Sequence, residues 1–376
     1  MTQTAPLELD AVRACLEPPG MMLPREAYTD DAVLDWERRV VFGGGWVCAG
    51  RATTLAPRSR MAVAVGDDSV LLVRDEDGAL RGFYNVCRHR GHELLPCGSS
   101  ATGRFIACPY HNWVYDLRGD LHKVPREATP PGLGLVPVPV TEWHGFVFVN
   151  ASGDAPPIAE YLTGLEEIVA PYGMAGLEVA ASHEYVLDAN WKLIIENYHE
   201  CYHCPAIHPE LCRVSPPDSG DNYRPAGLWA GGRMDLVEGA ATMSMDGSSA
   251  AGPLPGITGE RLRIVEYLHL FPNVLLSLHP DYVMTHVMEP LSAGRTKVTC
   301  QWLFPPGTTD TAYAVDFWDL TNRQDWAACE GVQRGVSSRG YVPGPFSTDE
   351  DVTYQWIATM ATAYLTGRAP ALPERI

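Results

Sequence analysis

Cysteine and histidine recur together at two places in the first third of the chain: Cys87-Arg-His89 and Cys108-Pro-Tyr-His111, with 18 residues between His89 and Cys108. Two thiolates and two imidazoles can hold zinc tetrahedrally, but zinc fingers usually pair cysteine with cysteine and histidine with histidine. Here each cluster contributes one of each. That composition suits a [2Fe-2S] centre in which two thiolates hold one iron and two imidazoles the other. Exchanging thiolate for neutral imidazole removes negative charge, which places such centres at roughly −150 to +300 mV and makes them readier electron acceptors than four-cysteine clusters. His92 lies just beyond the first cluster and is read as a neighbour of the site, not as a fifth ligand.

An electron carrier needs an acceptor, and the run NWKLIIENYHECYHCPAIHP over residues 190–209 offers one. Read as a helix from Asn190 to His203, it sets Glu196, Glu200 and His203 at i, i+4 and i+7 on one face. His208 falls well over a right angle away from that face, and Pro205 is expected to break or kink the helix and return it. Two histidines and a carboxylate with open positions form the arrangement of mononuclear Fe(II) oxygenases. A rival is a zinc site built from Cys201, His203, Cys204 and His208. It ranks lower because Cys201 and Cys204 bracket His203 on neighbouring faces, and because the upstream centre requires an electron acceptor.

The elements that must position these residues fall into three stretches. Residues 1–44 hold a helical segment, DAVLDWERRVVF, with Asp30 and Asp31 as caps and Val33, Trp36, Val40 and Val41 at near-helical spacing. Residues 45–155 alternate in short runs such as MAVAVG, VLLVRD and GFVFVN, with DEDGAL as a hairpin turn, and read as an all-β domain. A Gly- and Pro-rich linker, ASGDAPPIAEYL, leads into residues 156–376, a mixed domain. It holds strands over 262–304, two long Gly/Ser/Pro-rich loops and a closing helix after Ser347, which has capping-box spacing to Glu350. The fold class is therefore α+β.

With 28 basic against 46 acidic residues the 376-residue chain carries a formal charge of −18, which argues against nucleic acid and anionic lipid as partners. No apolar run reaches the roughly 18 residues of a membrane span, and MTQTAPLELD lacks the features of a signal peptide. A cytoplasmic protein is expected, with most of its ten cysteines as thiols. Phe42-Gly43-Gly44-Gly45-Trp46 lacks the strand, spacing and helix of a dinucleotide site.

Cys-x-His-Arg-Gly followed by Cys-Pro-Tyr-His-x-Trp resembles the cluster motif of Rieske non-haem iron oxygenases, with a gap slightly longer than usual. The 190–209 run resembles the iron-binding segment of their large (alpha) subunits. The acid three residues before the first histidine is Glu200 here, where Asp is usual, as in the branch containing choline monooxygenase and betaine demethylases. Asp325-Trp-Ala-Ala-Cys-Glu-Gly-Val-Gln333 is similar to the same branch. The resemblance implies a Rieske domain joined to a helix-grip (START-like) catalytic domain with a large antiparallel sheet and covering helices. It implies a cluster on Cys87, His89, Cys108 and His111, and mononuclear Fe(II) on His203, His208 and Asp325. Asp316, Asp319 and Glu330 stay open as alternatives to Asp325.

It further implies a homotrimer in which electrons cross between subunits, His111 bonding to Glu200 of the next. O2 and a separate NAD(P)H-dependent flavin or iron-sulfur reductase would be the other partners. The branch points to oxidative N-demethylation or adjacent C–H hydroxylation of a small N-methyl quaternary ammonium or betaine-type substrate, which aromatic faces would attract. Tyr198, Tyr202, Phe271, Tyr282 and Trp302 are the candidates for that cage. Other readings are an aromatic-ring or natural-product hydroxylase or dioxygenase of the same family, an electron carrier with an inactive second domain, and a zinc protein.

Overall fold

A computed structural model describes residues 4–371 and separates into two compact units, one from Glu37 to Ile158 and one made of the chain on either side. In the smaller unit the alternating runs pair as antiparallel strands. Ser59–Val65 pairs with Asp68–Arg74, which pairs with Leu80–Tyr84. The turn between the last two is closed by Asp75, whose Oδ1 accepts from the amides of Asp77 (3.0 Å) and Ala79 (2.9 Å), while Gly78 takes φ +82°. A carboxylate reaching two amides ahead is the reason Asp opens such turns. A separate three-stranded sheet, Phe105–Ala107, Val114–Asp116 and Leu121–Lys123, carries the second cysteine/histidine loop between its first two strands.

The larger unit is built on a seven-stranded antiparallel sheet. Its spatial order is Glu178–Leu187, Arg295–Phe304, Val283–Ser292, Val274–Leu278, Ile264–Leu270, Trp229–Asp235 and Asp221–Asn222. Four of these strands occupy the 262–304 stretch. Side chains alternate across a strand, so registered partners share a face. Gly232, Tyr267, Ser277, Met284 and Trp302 form one such row across five strands. The long helix Ala312–Val336 lies against this face, with Phe317 and Trp318 in one apolar core with Val265, Met284, Trp302 and Phe304. The α+β class, with a large antiparallel sheet and covering helices, is the one the sequence implied.

Helix ends agree with their chemistry. Asp30 Oδ1 accepts from Ala32 N at 2.9 Å ahead of the Asp31–Glu37 helix. Ser347 and Glu350 form a reciprocal capping box before Asp351–Thr366. The expected helix from Asn190 to His203 is a different matter. It runs only over Trp191–Tyr198, and two short helices follow, Cys204–Ile207 and Pro209–Val214. Pro205 and Pro209 sit in the first turns of these helices, where a missing amide costs nothing, so they start helices and do not kink one. Among the described residues no helix is long and apolar enough to cross a membrane.

Candidate active site

The two loops of the smaller unit repeat one backbone design. Cys87 N donates to His92 O and Gly91 N to Cys87 O; Cys108 N donates to Trp113 O and Asn112 N to Cys108 O. Position four after each cysteine is left-handed, Gly91 at φ +72° and Asn112 at φ +56°. Glycine and asparagine are the residues that take this conformation most readily. Both thiols are buried, and burial raises the Cys87 pKa. Arg88 N donates to the Tyr115 hydroxyl at 3.0 Å, leaving its hydrogen free for Cys87 Sγ at 3.3 Å.

The His89 and His111 rings meet edge to face at 4.6 Å, and His89 stacks on Trp113 at 4.8 Å. His111 Nδ1 is buried without a hydrogen-bond partner among the described residues, as a nitrogen kept for a metal would be. His92 is exposed and donates Nδ1–H to Glu93 O at 2.6 Å, so it stands outside the ligand set. Two buried thiols and two adjacent imidazoles fit a [2Fe-2S] cluster of mixed ligation.

In the larger unit Asn190 caps the Trp191–Tyr198 helix. Its Oδ1 accepts from Lys192 N at 3.0 Å, its Nδ2 donates to Ala293 O at 2.6 Å, and its own amide donates to Gln333 Oε1 at 2.8 Å. One residue thus ties the segment to a sheet turn and to the long helix. Past Tyr198 the helix tightens, His199 N donating to both Ile195 O and Glu196 O, and Glu200–His203 form a turn. Glu196 therefore does not share a face with Glu200 and His203; it accepts from the Tyr28 hydroxyl at 2.9 Å. His199, beside Glu200, is buried and neutral, its pKa pushed down to about 3 by desolvation. Its Nε2–H donates to His269 Nδ1 at 3.1 Å, and His269 Nε2–H to Pro272 O at 3.2 Å.

His203, His208 and Asp325 converge, with one ligand atom from each within 4.8 Å of the others. Asp325 Oδ1 lies 2.8 Å from His208 Nε2 and 3.3 Å from His203 Nε2. Each ring is fixed from behind. His203 Nδ1 bonds to Glu200 Oε1, Glu200 Oε2 accepts from His203 N at 3.0 Å, and His208 Nδ1 lies 2.7 Å from Gln324 Oε1. Oxygen acceptors at both Nδ1 atoms demand N–H there, so each ring meets Asp325, and would meet a metal, through its Nε2. Burial opposes charge on both partners here, but ion pairing outweighs it. The His203 pKa rises to about 9 against Asp325 and Glu200, and Asp325 is held below the usual carboxylate range by the two imidazoles. Two histidines and one carboxylate fit a non-haem iron with open positions.

Asp325 stands in the middle of the Ala312–Val336 helix, not at its start. Of the other acids considered, Asp319 bonds to Tyr185 (2.6 Å) and Arg323 (2.8 Å), Glu330 accepts from Asp188 N at 3.2 Å, and Asp316 is exposed. None of them faces the two imidazoles. The four-residue zinc alternative is also at odds with the structure, because Cys201 and Cys204 are joined in a disulfide and not present as thiols.

A cavity of about 760 Å³ opens over the three converging residues. Tyr198 and Tyr202 of the five aromatic candidates line it, Tyr202 being 61% exposed. Phe271, Tyr282 and Trp302 do not. Phe271 packs on His269 and Trp356, Tyr282 donates to Met243 O at 2.9 Å, and Trp302 is fully buried against His183. The cavity instead takes Tyr267, Trp318 and Trp326. Trp318 lies seven residues before Asp325, hence on its helix face, which is readable once Asp325 is chosen, and Tyr267 lies two residues after buried Val265, on the same face of its strand.

Residues 174–366 match the ring hydroxylating alpha subunit (catalytic domain) family and residues 45–155 the Rieske [2Fe-2S] domain. The chain belongs to the alpha subunits of the Rieske oxygenases: an oxidoreductase with a Rieske [2Fe-2S] domain and a catalytic domain that binds mononuclear iron. Within that family it is similar to the glycine betaine monooxygenase oxygenase subunit of Chromohalobacter salexigens, 32% identical over 93% of this chain and 88% of that one. The carnitine monooxygenase oxygenase subunit of Escherichia coli strain K12 is 31% identical over 85% of each. A solved quaternary ammonium Rieske monooxygenase in complex with L-carnitine superposes with a TM-score of 0.76 at 25% identity, covering 95% of this chain and 99% of that one.

Proposed function

We propose that this chain is the terminal oxygenase of a quaternary ammonium monooxygenase. In this reading residues 45–155 deliver electrons and residues 156–376 use them, with residues 1–44 supporting the latter. Cys87, His89, Cys108 and His111 hold the [2Fe-2S] cluster; His203, His208 and Asp325 hold the iron. Bound there, the iron supplies O2 activation and C–H hydroxylation with electrons taken from the cluster one at a time. The observation that carries this reading is the convergence of two Nε2 atoms on one carboxylate oxygen beneath an aromatic-lined cavity.

The chain's own residues do the rest. Glu200 and Gln324 hold the two imidazoles in the tautomer that presents Nε2. Tyr267, Trp318, Trp326 and Tyr198 offer ring faces to an N-methyl cation, each worth about 0.5 to 2 kcal/mol, and bring a methyl carbon over the iron position. Hydroxylation of that methyl gives an N-hydroxymethyl product, which releases formaldehyde and a demethylated amine. The subunits form a trimer in which His111 reaches Glu200 of the partner subunit, and an NAD(P)H-dependent flavin or iron-sulfur reductase supplies the electrons.

The test is turnover with a surrogate reductase, iron and O2, scoring formaldehyde from glycine betaine, choline and carnitine against hydroxylated products from aromatic compounds. Formaldehyde from an N-methyl cation, lost in the Asp325→Ala variant while the visible spectrum of the cluster persists, is the expected result. Hydroxylated aromatics without formaldehyde would overturn the substrate class.

A further inference from the structure

Cys201 and Cys204 flank His203 and both line the cavity. The segment between them is a closed turn: Cys204 N donates to Cys201 O at 3.1 Å and His208 N to Cys204 O at 2.9 Å. Their disulfide spans Cα atoms 4.9 Å apart and leaves Cys204 Sγ 4.0 Å from His203 Nε2, the nitrogen that faces Asp325. In a tetrahedral zinc site, with Zn–S about 2.3 Å and Zn–N about 2.0 Å, sulfur and nitrogen lie about 3.5 Å apart. The Cys204–His203 separation is thus about half an ångström longer than two ligands of one zinc would show.

The chemistry of the two states differs in kind. A disulfide sulfur carries no negative charge and does not compete for the metal, so three hard or borderline ligands remain with open positions, the set that suits non-haem iron. A thiolate is a soft fourth ligand; Cys, two His and a carboxylate close a tetrahedron around zinc and leave no position for O2. We propose that the Cys201–Cys204 pair is a thiol-controlled metal selector: oxidised, the site takes iron on three ligands; reduced, it takes zinc on four. This rests on His203, His208 and Asp325 being the metal ligands.

The exchange balances with a small dithiol as reductant. A dithiol thiolate attacks the sulfur of half-buried Cys201, its neighbour Cys204 being buried, and the Cys201–Cys204 bond breaks. The second dithiol sulfur then closes a cyclic disulfide and releases Cys201. Two electrons and two protons pass to the protein, and zinc binding expels the Cys204 proton.

The experiment uses the full chain with its cluster intact and the mononuclear metal removed by chelation. Zinc affinity is measured by chelator competition and ligation by the Co(II) difference spectrum, before and after anaerobic dithiothreitol treatment and its removal. Reduction is expected to tighten zinc at least tenfold and to bring up a near-ultraviolet thiolate-to-Co(II) band. Cys204→Ser should show neither change. Cys201→Ser, which frees Cys204 permanently, should behave as the reduced protein without any dithiol. Far-ultraviolet circular dichroism and a thermal melt report that each variant is folded. Equal zinc affinity in both states with no thiolate band overturns the selector, while failure of Co(II) and zinc to bind either state overturns the metal site beneath it.

Discussion

Gln324 is the side chain through which the metal reading can be tested without knowing the substrate. Its Oε1 lies 2.7 Å from His208 Nδ1, and His208 is 1% exposed, so no water substitutes readily for the amide. Gln324→Leu removes the acceptor and keeps the bulk. The His208 N–H is then a buried donor without a partner, which costs about 1 to 3 kcal/mol. The ring can recover that energy by turning, or by keeping its proton on Nε2, and either change takes Nε2 away from a metal held with Asp325. At about 1.4 kcal/mol per decade, the loss corresponds to roughly 5- to 150-fold weaker metal affinity, which spans the 10- to 100-fold range expected when the partner behind a ligating histidine is removed. Chelator competition for iron or zinc measures it, and the cluster spectrum, which depends on residues of the other unit, should not change. Gln324→Glu keeps an oxygen at the same reach and should restore most of the affinity. Wild-type affinity in Gln324→Leu would refute the role given to Gln324 and weaken the case for His208 as ligand.

Other expectations follow from single contacts. Trp318→Leu removes one ring face from the cavity and should raise KM for an N-methyl cation by about 3- to 30-fold, the equivalent of 0.5 to 2 kcal/mol, while the KM of a neutral competitor substrate moves less. Glu196 is buried against Tyr28 and its pKa is raised to about 8 by desolvation, partly offset by the Tyr28 hydrogen bond. Between the unfolded value near 4.5 and about 8 the folded protein therefore binds one more proton than the unfolded chain, and its stability falls as pH rises through that window. Urea midpoints of Glu196→Gln from pH 5 to 8 should show a flatter decline; an unchanged slope would put the proton elsewhere. Asn112→Gly, at φ +56°, should retain the cluster, whereas Asn112→Val should lower cluster content per chain, read from iron and sulfide analysis, because a β-branched residue is strained there.

How much of this was legible in the sequence depends on how far apart the cooperating residues lie. The cluster ligands were readable because each loop is short and self-contained: its cysteine, histidine and left-handed residue fall within six positions, and backbone hydrogen bonds inside the loop do the positioning. The strands of 264–304 were readable because alternation and turns are local as well. The histidine pair was found, but the reason given for it fails. A helix that runs to His203 and breaks at Pro205 does not bring His203 and His208 together; a helix that stops at Tyr198 and two proline-started turns do. Helical periodicity is blind to such an ending, because neither glycine nor proline follows Tyr198 before Pro205.

Asp325 is the residue that spacing alone could not supply, and the structure shows what supplies it. Gln333, two turns beyond Asp325 on the same helix, accepts from the amide of Asn190 and donates to Tyr28 O at 3.2 Å. Asn190 in turn caps the helix that leads to Glu200 and His203. The carboxylate and the imidazoles are therefore registered to one another through a cap and an amide, with Asp325 two turns back along the long helix and the imidazoles beyond the C-terminal end of the short one. Substituting Asn190 by Ala removes that cap and the bond to Ala293, and caps alone cost about 0.5 to 2 kcal/mol. The argument predicts more than lost stability. Asn190→Ala at low temperature, where the protein stays folded, should bind metal more weakly than an equally destabilised variant such as Tyr28→Phe, which loses the Glu196 hydrogen bond but keeps the cap. Equal metal affinity in the two variants would mean that the ligands are positioned by the turn around them and not by the tie between Asn190 and Gln333.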